Sequence, residues 1–138
     1  MLTANRTGQD GEQIVGTLLS QQSHYIFRQV KSRSQIESPA DYIPDFLIHE
    51  PGGTKIVIEV KTRIKSGSCE EIVTETLLRL QQSIANHPSY RKAYLVMLGD
   101  GWSDRYRARL QTRVSCDKIA IVNLDQFFNL VRSETLGN

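Results

Sequence analysis

The stretch that decides the fold is PDFLIHEPGGTKIVIEVK, residues 44–61. Its two flanking runs, 44–49 and 55–61, are rich in apolar and β-branched residues, which favour strands. A proline is tolerated at the first position of a strand. The intervening 50–53 segment, Glu-Pro-Gly-Gly, is typical of a tight turn. We therefore predict an antiparallel hairpin.

The second strand of this hairpin carries charged residues on one face only. Side chains two positions apart point to the same side of a strand, so Glu59 and Lys61 project together, while Ile58 and Val60 face the other way. Across the hairpin, Asp45 can lie beside Glu59. Two carboxylates can bind Mg²⁺, and an adjacent lysine can offset the charge that grows on a phosphate under attack. This set suits metal-assisted phosphodiester hydrolysis.

The rest of the chain predicts further helices and strands around the hairpin. The run 93–98 is entirely apolar, which is typical of a strand covered on both faces. Thr7 or Asp10 is a candidate helix cap. Apolar periodicity predicts helices over 10–20, 68–86, 103–114 and 124–132, and further strands over 25–30, 93–98 and 119–122. The order αβββαβαβα indicates an α/β fold with a mixed central sheet flanked by helices.

Length and charge set limits on the class of protein. The 138 residues fit a single domain, 1–138, and 17 Lys and Arg against 15 Asp and Glu exclude a generally basic nucleic-acid binder. Two cysteines, Cys69 and Cys116, do not make a secreted disulfide framework. The chain shows no signal-peptide pattern and no membrane-length apolar run. We therefore expect a cytoplasmic protein without a membrane partner.

The motif Pro44-Asp45, thirteen residues, then Glu59-Val60-Lys61 resembles that of the PD-(D/E)xK nuclease superfamily, which includes restriction endonuclease-like enzymes. The αβββαβ core of that superfamily is similar to the order predicted over 10–98. The resemblance implies that Asp45 and Glu59 are metal ligands, that the Val60 carbonyl is a third, and that Lys61 is the catalytic lysine. It also implies a metal-binding role for Glu12 on the first helix. The implied cofactor is Mg²⁺, with Mn²⁺ as a substitute.

Each of these residues also has a purely structural interpretation. Glu59 and Lys61 would belong to a solvated strand face with a cross-strand ion pair. Asp45 would be a turn residue after proline. Glu12 would be a carboxylate in the first helical turn, where it favours the helix dipole.

Basic residues form three groups that could contact DNA phosphates. A solvated surface is the alternative for each group. Trp102, next to the third group, would either stack on DNA or anchor the packing. The candidate DNA-binding residues are Arg28, Lys31 and Arg33; Arg63 and Lys65; and Arg105, Arg109 and Arg113.

The leading hypothesis is a Mg²⁺-dependent endodeoxyribonuclease. The short chain leaves little sequence for reading DNA, which favours structure-selective cleavage or a partner recognition subunit. A homodimer would supply two sites for two strands. The alternatives are a Holliday junction resolvase-type nuclease and a non-catalytic nucleic-acid-binding or assembly module of the same fold.

Overall fold

The computed structural model describes residues 4–22, 26–29, 44–62, 70–99, 102–114 and 116–137. For residues 4–9, 26–29 and 70–72 it describes the backbone alone. The elements are α1 (Ala4–Ser20), β1 (Ile26–Gln29), β2 (Phe46–His49), β3 (Lys55–Thr62), α2 (Glu70–Asn86), β4 (Tyr90–Leu98), α3 (Asp104–Thr112), β5 (Ile119–Asn123) and α4 (Leu124–Arg132).

The predicted order of elements is confirmed, and the largest difference lies at the start of α1. This helix begins at Ala4, six residues before the predicted start. Thr7 and Asp10 therefore lie inside the helix, and the prediction that one of them caps it is wrong. The cause is that the apolar periodicity begins only at Ile14, so the polar first turns carry no helical signal.

The five strands form one sheet in the order β1-β2-β3-β4-β5. The pairs β1–β2 and β2–β3 are antiparallel, whereas β3–β4 and β4–β5 are parallel, so the sheet is mixed as predicted. In the hairpin, Phe46 pairs with Ile58. The turn is closed by a Glu50 N–H to Thr54 carbonyl bond of 2.9 Å. Gly52 and Gly53 have φ values of 95° and 93°, a region that favours glycine.

Helices cover both faces of the sheet. One core packs α2 and α3 against the sheet, with Leu80 and Leu110 among its buried residues. The other packs α1 and α4, with Leu19 and Phe127 fully buried. The apolar run 93–98 in β4 is buried throughout, which confirms the strand covered on both faces. None of the described helices is long and apolar enough to cross a membrane.

The parallel strands β3 and β4 end at the same edge of the sheet, close to the motif residues. Because β3 and β4 are parallel and pair to their ends at Thr62 and Leu98, their carboxyl ends lie together. Helix α3 starts shortly after Leu98, at this same edge, and its N-cap Ser103 accepts a 3.0 Å bond from the Tyr106 N–H. The motif residues of β3 therefore lie where two connections leave the sheet.

Candidate active site

Asp45 and Glu59 lie side by side because of the hairpin register. The Phe46–Ile58 pair, extended by one residue, brings Asp45 opposite Glu59. The Asp45 Oδ2 atom accepts a 2.7 Å hydrogen bond from the Val60 N–H. The Asp45 and Glu59 side chains also interact, and this interaction opposes the effect of burial on the pKa of Glu59. The predicted proximity of the two motif carboxyl groups is thus confirmed.

The proline of the motif explains why β2 starts at Phe46. The same register places Pro44 opposite Val60, and proline has no N–H to donate. The Val60 N–H instead bonds to the Asp45 side chain. In an antiparallel ladder the N–H and carbonyl of one residue point to the same side. The Val60 carbonyl is therefore directed to the side of β3 on which Asp45 lies.

Glu12 reaches this pair from α1. It is the ninth residue of the helix, and no acidic residue lies in the first turn. The helix-dipole interpretation of Glu12 is therefore wrong. The Glu12 and Asp45 carboxyl groups interact, which raises the pKa of Glu12 and lowers that of Asp45. Three carboxyl groups from three separate segments of the chain thus influence one another, and we call them the acidic cluster: Glu12, Asp45 and Glu59.

Burial and mutual repulsion make the ionised form of this cluster unfavourable. The hydrogen bond to Asp45, followed by burial and the Asp45 charge, raises the pKa of Glu12 to about 7. Burial, followed by the Glu59 charge, raises the pKa of Asp45 to about 6. Burial raises the pKa of Glu59 to about 7. A nearby positive charge would favour the ionised form of all three.

Lys61 supplies one such charge. Its Nζ atom lies 3.8 Å from Glu59 Oε1, so the prediction that the two side chains share a face is confirmed. The Lys61 side chain is 28% exposed, whereas that of Glu59 is 8% exposed. Glu59 is therefore buried, and its interpretation as part of a solvated ion pair is wrong. The Lys61 side chain is thus more accessible to solvent than the buried carboxyl group beside it.

The donor set fits a hard divalent cation. Among the described residues, Glu59 Oε2 has no hydrogen-bond partner although it is buried. In the ranges that the structure covers, no three or more Asp, Glu, His or Cys side chains are already arranged around a metal position. The carboxyl groups of the cluster nevertheless influence one another's pKa values. Two carboxylates are enough for Mg²⁺, which keeps water and substrate ligands.

The candidate DNA-binding residues are only partly described. Arg105 and Arg109 are exposed on α3, and Arg113 is the exposed C-cap residue of that helix. At 1.5 Å per residue, Arg113 lies about 12 Å along the axis from Arg105, away from the edge where the helix starts. Arg28 is in β1, where only the backbone is described. Four predicted residues lie outside the described residues: Lys31, Arg33, Arg63 and Lys65.

Trp102 is a packing residue. It is 6% exposed within the core between the sheet and the helices α2 and α3. Its ring stacks on Tyr106, with centroids 5.7 Å apart and an angle of 9° between the planes. The packing interpretation is confirmed, because a base cannot stack on a ring that is already covered by protein.

Sequence reasoning missed one contact that shapes the site. Gly11, immediately before Glu12, packs against Thr62 at the end of β3. The contact joins a helix to a strand distant in sequence. The only local signal is a glycine inside a helical segment, which often has a packing reason.

Two solved structures have the same fold as this chain. The restriction endonuclease FokI superposes with a TM-score of 0.58 at 11% identity, over 98% of this chain and 26% of that one. The small subunit of the heterodimeric restriction endonuclease R.BspD6I superposes with a TM-score of 0.58 at 16% identity, over 94% of this chain and 72% of that one. The chain thus spans about a quarter of the FokI chain.

A scan against protein-family models and a search of the curated proteins both found no match. The similarity to these structures is therefore a similarity of fold. It agrees with the strand order of the sheet and with the hairpin formed by residues 44–61. The chain has the restriction endonuclease-like α/β fold.

Proposed function

We propose that this protein is a metal-dependent endodeoxyribonuclease that hydrolyses DNA phosphodiester bonds. The observation that carries the proposal is the buried Glu59 carboxylate, which has one oxygen without a partner among the described residues and the other 3.8 Å from the Lys61 ammonium. A buried carboxylate oxygen without a partner is costly, so its retention favours a ligand there. The fold similarity to two restriction endonucleases supports the same class of reaction.

The acidic cluster would hold Mg²⁺ through Asp45, Glu59 and the Val60 carbonyl, with Glu12 as an additional or water-mediated ligand. Bound at this position, Mg²⁺ would polarise the scissile phosphate and lower the pKa of a coordinated water. The Val60 N–H fixes Asp45 Oδ2 at 2.7 Å and so orients its carboxyl group. Glu59 is held rigidly because it lies inside β3 and is 6% exposed.

Lys61 would act on the reacting phosphate. Its stem leaves β3 on the same face as Glu59, and its head is partly exposed. From there the ammonium would hold the attacking water by a hydrogen bond and offset the negative charge that develops on the phosphate oxygens. Because three carboxyl groups surround this position, one positive side chain is also needed to keep a phosphate from being repelled.

The exposed arginines of α3 would contribute phosphate contacts. Arg105 lies in the first turn of α3, the helix that follows β4, and would contact DNA bound at the acidic cluster. Arg109 lies one turn further along the helix. Contacts of this type position DNA without reading its sequence.

DNA recognition would be supplied from outside this core. The chain spans about a quarter of FokI, and the second solved structure is one subunit of a heterodimer. We therefore propose a partner domain or subunit that selects the site, with a homodimer as the second arrangement. Both would bring a second catalytic centre or a recognition surface to the DNA.

The proposal is tested by incubating the protein with supercoiled plasmid, linear duplex, single-stranded and four-way-junction DNA, with Mg²⁺, Mn²⁺ or EDTA. We expect cleavage with either metal and none with EDTA. Glu59→Ala and Lys61→Ala should each abolish cleavage, whereas Glu75→Gln, at an exposed position of α2, should not. Folding of each variant is checked by circular dichroism. If no substrate is cleaved in a metal-dependent way, the proposal that this protein is a nuclease is refuted.

The same assay separates the alternatives. Cleavage restricted to four-way junctions would indicate a resolvase-type nuclease. DNA binding without cleavage in any metal would indicate a non-catalytic module. Full activity in both Glu59→Ala and Lys61→Ala would show that the site is elsewhere.

A further inference from the structure

Helix α1 crosses β3 at unusually close range, at the contact between Gly11 and Thr62. A Cβ atom placed on Gly11 would lie 2.2 Å from Thr62 Oγ1 and 3.2 Å from Leu98 Cδ1. The first distance is far below van der Waals contact. A side chain at this position therefore requires that either the Thr62 side chain or the helix moves.

A second glycine of this helix, Gly16, gives the scale for comparison. A Cβ atom on Gly16 would lie 3.4 Å from two ring atoms of Phe46, which is an ordinary contact. The space around position 16 therefore does not require glycine. Of these two positions, the close approach to the sheet is found only at Gly11.

Thr62 cannot easily move out of the way. Its Oγ1 atom is buried and has no hydrogen-bond partner among the described residues. Threonine is β-branched, so its χ1 angle is restricted in a strand, and a rotation that moves Oγ1 away from the helix is opposed. A side chain at position 11 would therefore be accommodated mainly by displacement of α1 away from β3.

Glu12 would be displaced together with the helix. It is the next residue after Gly11, and its carboxyl group interacts with that of Asp45. A displacement of about 1 Å at a catalytic group can lower a rate about 100-fold. The Gly11–Thr62 contact thus sets the distance between α1 and the acidic cluster.

We propose that Gly11 is a positioning residue, which lets α1 approach Thr62 of β3 closely enough for Glu12 to reach Asp45. The inference rests on the proposed nuclease function for its effect on catalysis. Its structural part, the contact between helix and strand, can be measured without any activity.

The test uses Gly11→Ala, Thr62→Ala and the double variant, with Gly16→Ala as the matched control on the same helix. Removal of Thr62 Oγ1 eliminates the 2.2 Å clash, since the Thr62 Cβ atom would remain 3.5 Å from the new methyl group. We expect Gly11→Ala to lower DNA cleavage about 100-fold and Mn²⁺ affinity about tenfold or more. The double variant should recover most of both, and Gly16→Ala should match the unaltered protein.

A second comparison distinguishes positioning from a general loss of structure. Glu12→Gln removes the group through which Gly11 is proposed to act. Adding Gly11→Ala to Glu12→Gln should therefore cause no further loss of cleavage. A further loss of about tenfold would overturn the proposed route through Glu12.

The unfolding midpoints of four proteins measure the contact directly: the unaltered protein, Gly11→Ala, Thr62→Ala and the double variant. Gly11→Ala should lower the midpoint in the presence of Thr62 and raise it in Thr62→Ala, because alanine is the better helix former. Gly11→Ala that cleaves normally, or a double variant that recovers neither cleavage nor stability, would overturn the inference. If the unaltered protein is inactive, only the proposed nuclease function is contradicted. The unfolding comparison would still show whether the Gly11–Thr62 contact sets the distance between helix and strand.

Discussion

Replacement of Glu59 by glutamine should stabilise the metal-free protein at a pH above neutrality, although it removes a residue of the proposed active site. In the folded protein, burial raises the pKa of Glu59 from 4.5 to about 7. The unfolded chain therefore ionises at lower pH than the folded protein. Below pH 4.5 the Glu59 carboxyl group does not lower the free energy of unfolding. Its destabilising effect grows as the pH rises to about 7.

The size of the effect follows from the same pKa difference. One pKa unit corresponds to about 1.4 kcal/mol, so a rise from 4.5 to about 7 amounts to about 3 kcal/mol. The free energy of unfolding of Glu59→Gln should exceed that of the unaltered protein by up to about 3 kcal/mol at about pH 8, and by almost nothing at about pH 4. Glutamine keeps the shape of the side chain and can still hydrogen-bond to Asp45.

Urea unfolding with EDTA at several pH values measures this difference. Glu75→Gln on α2 is the control, because an exposed carboxylate contributes little at any pH. Mg²⁺ should then stabilise the unaltered protein at about pH 8 and have a much smaller effect on Glu59→Gln, because a ligand that binds the folded state stabilises it. If Glu59→Gln is less stable than the unaltered protein at every pH, the reasoning from buried charge is refuted.

Three further outcomes test the site, the DNA surface and the core. Lys61→Met should lower cleavage about 100-fold or more. It should not weaken Mn²⁺ binding in titration calorimetry, because it removes a positive charge next to the metal position. Weaker Mn²⁺ binding would contradict the role assigned to Lys61. Replacing Arg105 and Arg109 together by glutamine should reduce the slope of log K against log salt for DNA binding by about 1 to 2, and an unchanged slope would exclude them as phosphate contacts. Leu80→Ala should cost about 2–5 kcal/mol in urea unfolding and Leu78→Ala less than about 0.5 kcal/mol, since the first is fully buried and the second 57% exposed; equal costs would contradict the orientation of α2.

The hairpin could be predicted because its signals are local. Strand alternation places Glu59 and Lys61 on one face, and the two glycines at 52 and 53 fix a short turn, so the register with Asp45 follows. The apolar run 93–98 likewise indicates burial on both faces. These features require knowledge only of neighbours in sequence.

The position of Glu12 could not be derived in the same way. The start of α1 is polar, so its true length is hidden, and Glu12 is placed by the tertiary contact of Gly11 with Thr62. The burial of Glu59 also depends on elements that pack over it rather than on its own strand. Sequence thus predicts the members of the candidate site, whereas their spacing depends on how a helix and a sheet meet.

The most direct measurement is a crystal structure with Mn²⁺, recorded at a wavelength where manganese scatters anomalously. The proposed function predicts one strong anomalous peak in contact with Asp45, Glu59 and the Val60 carbonyl, and loss of this peak in Glu59→Gln. A protein that cleaves DNA with Mn²⁺ but shows its peak elsewhere, or shows none at the acidic cluster, would contradict the assignment of the catalytic centre.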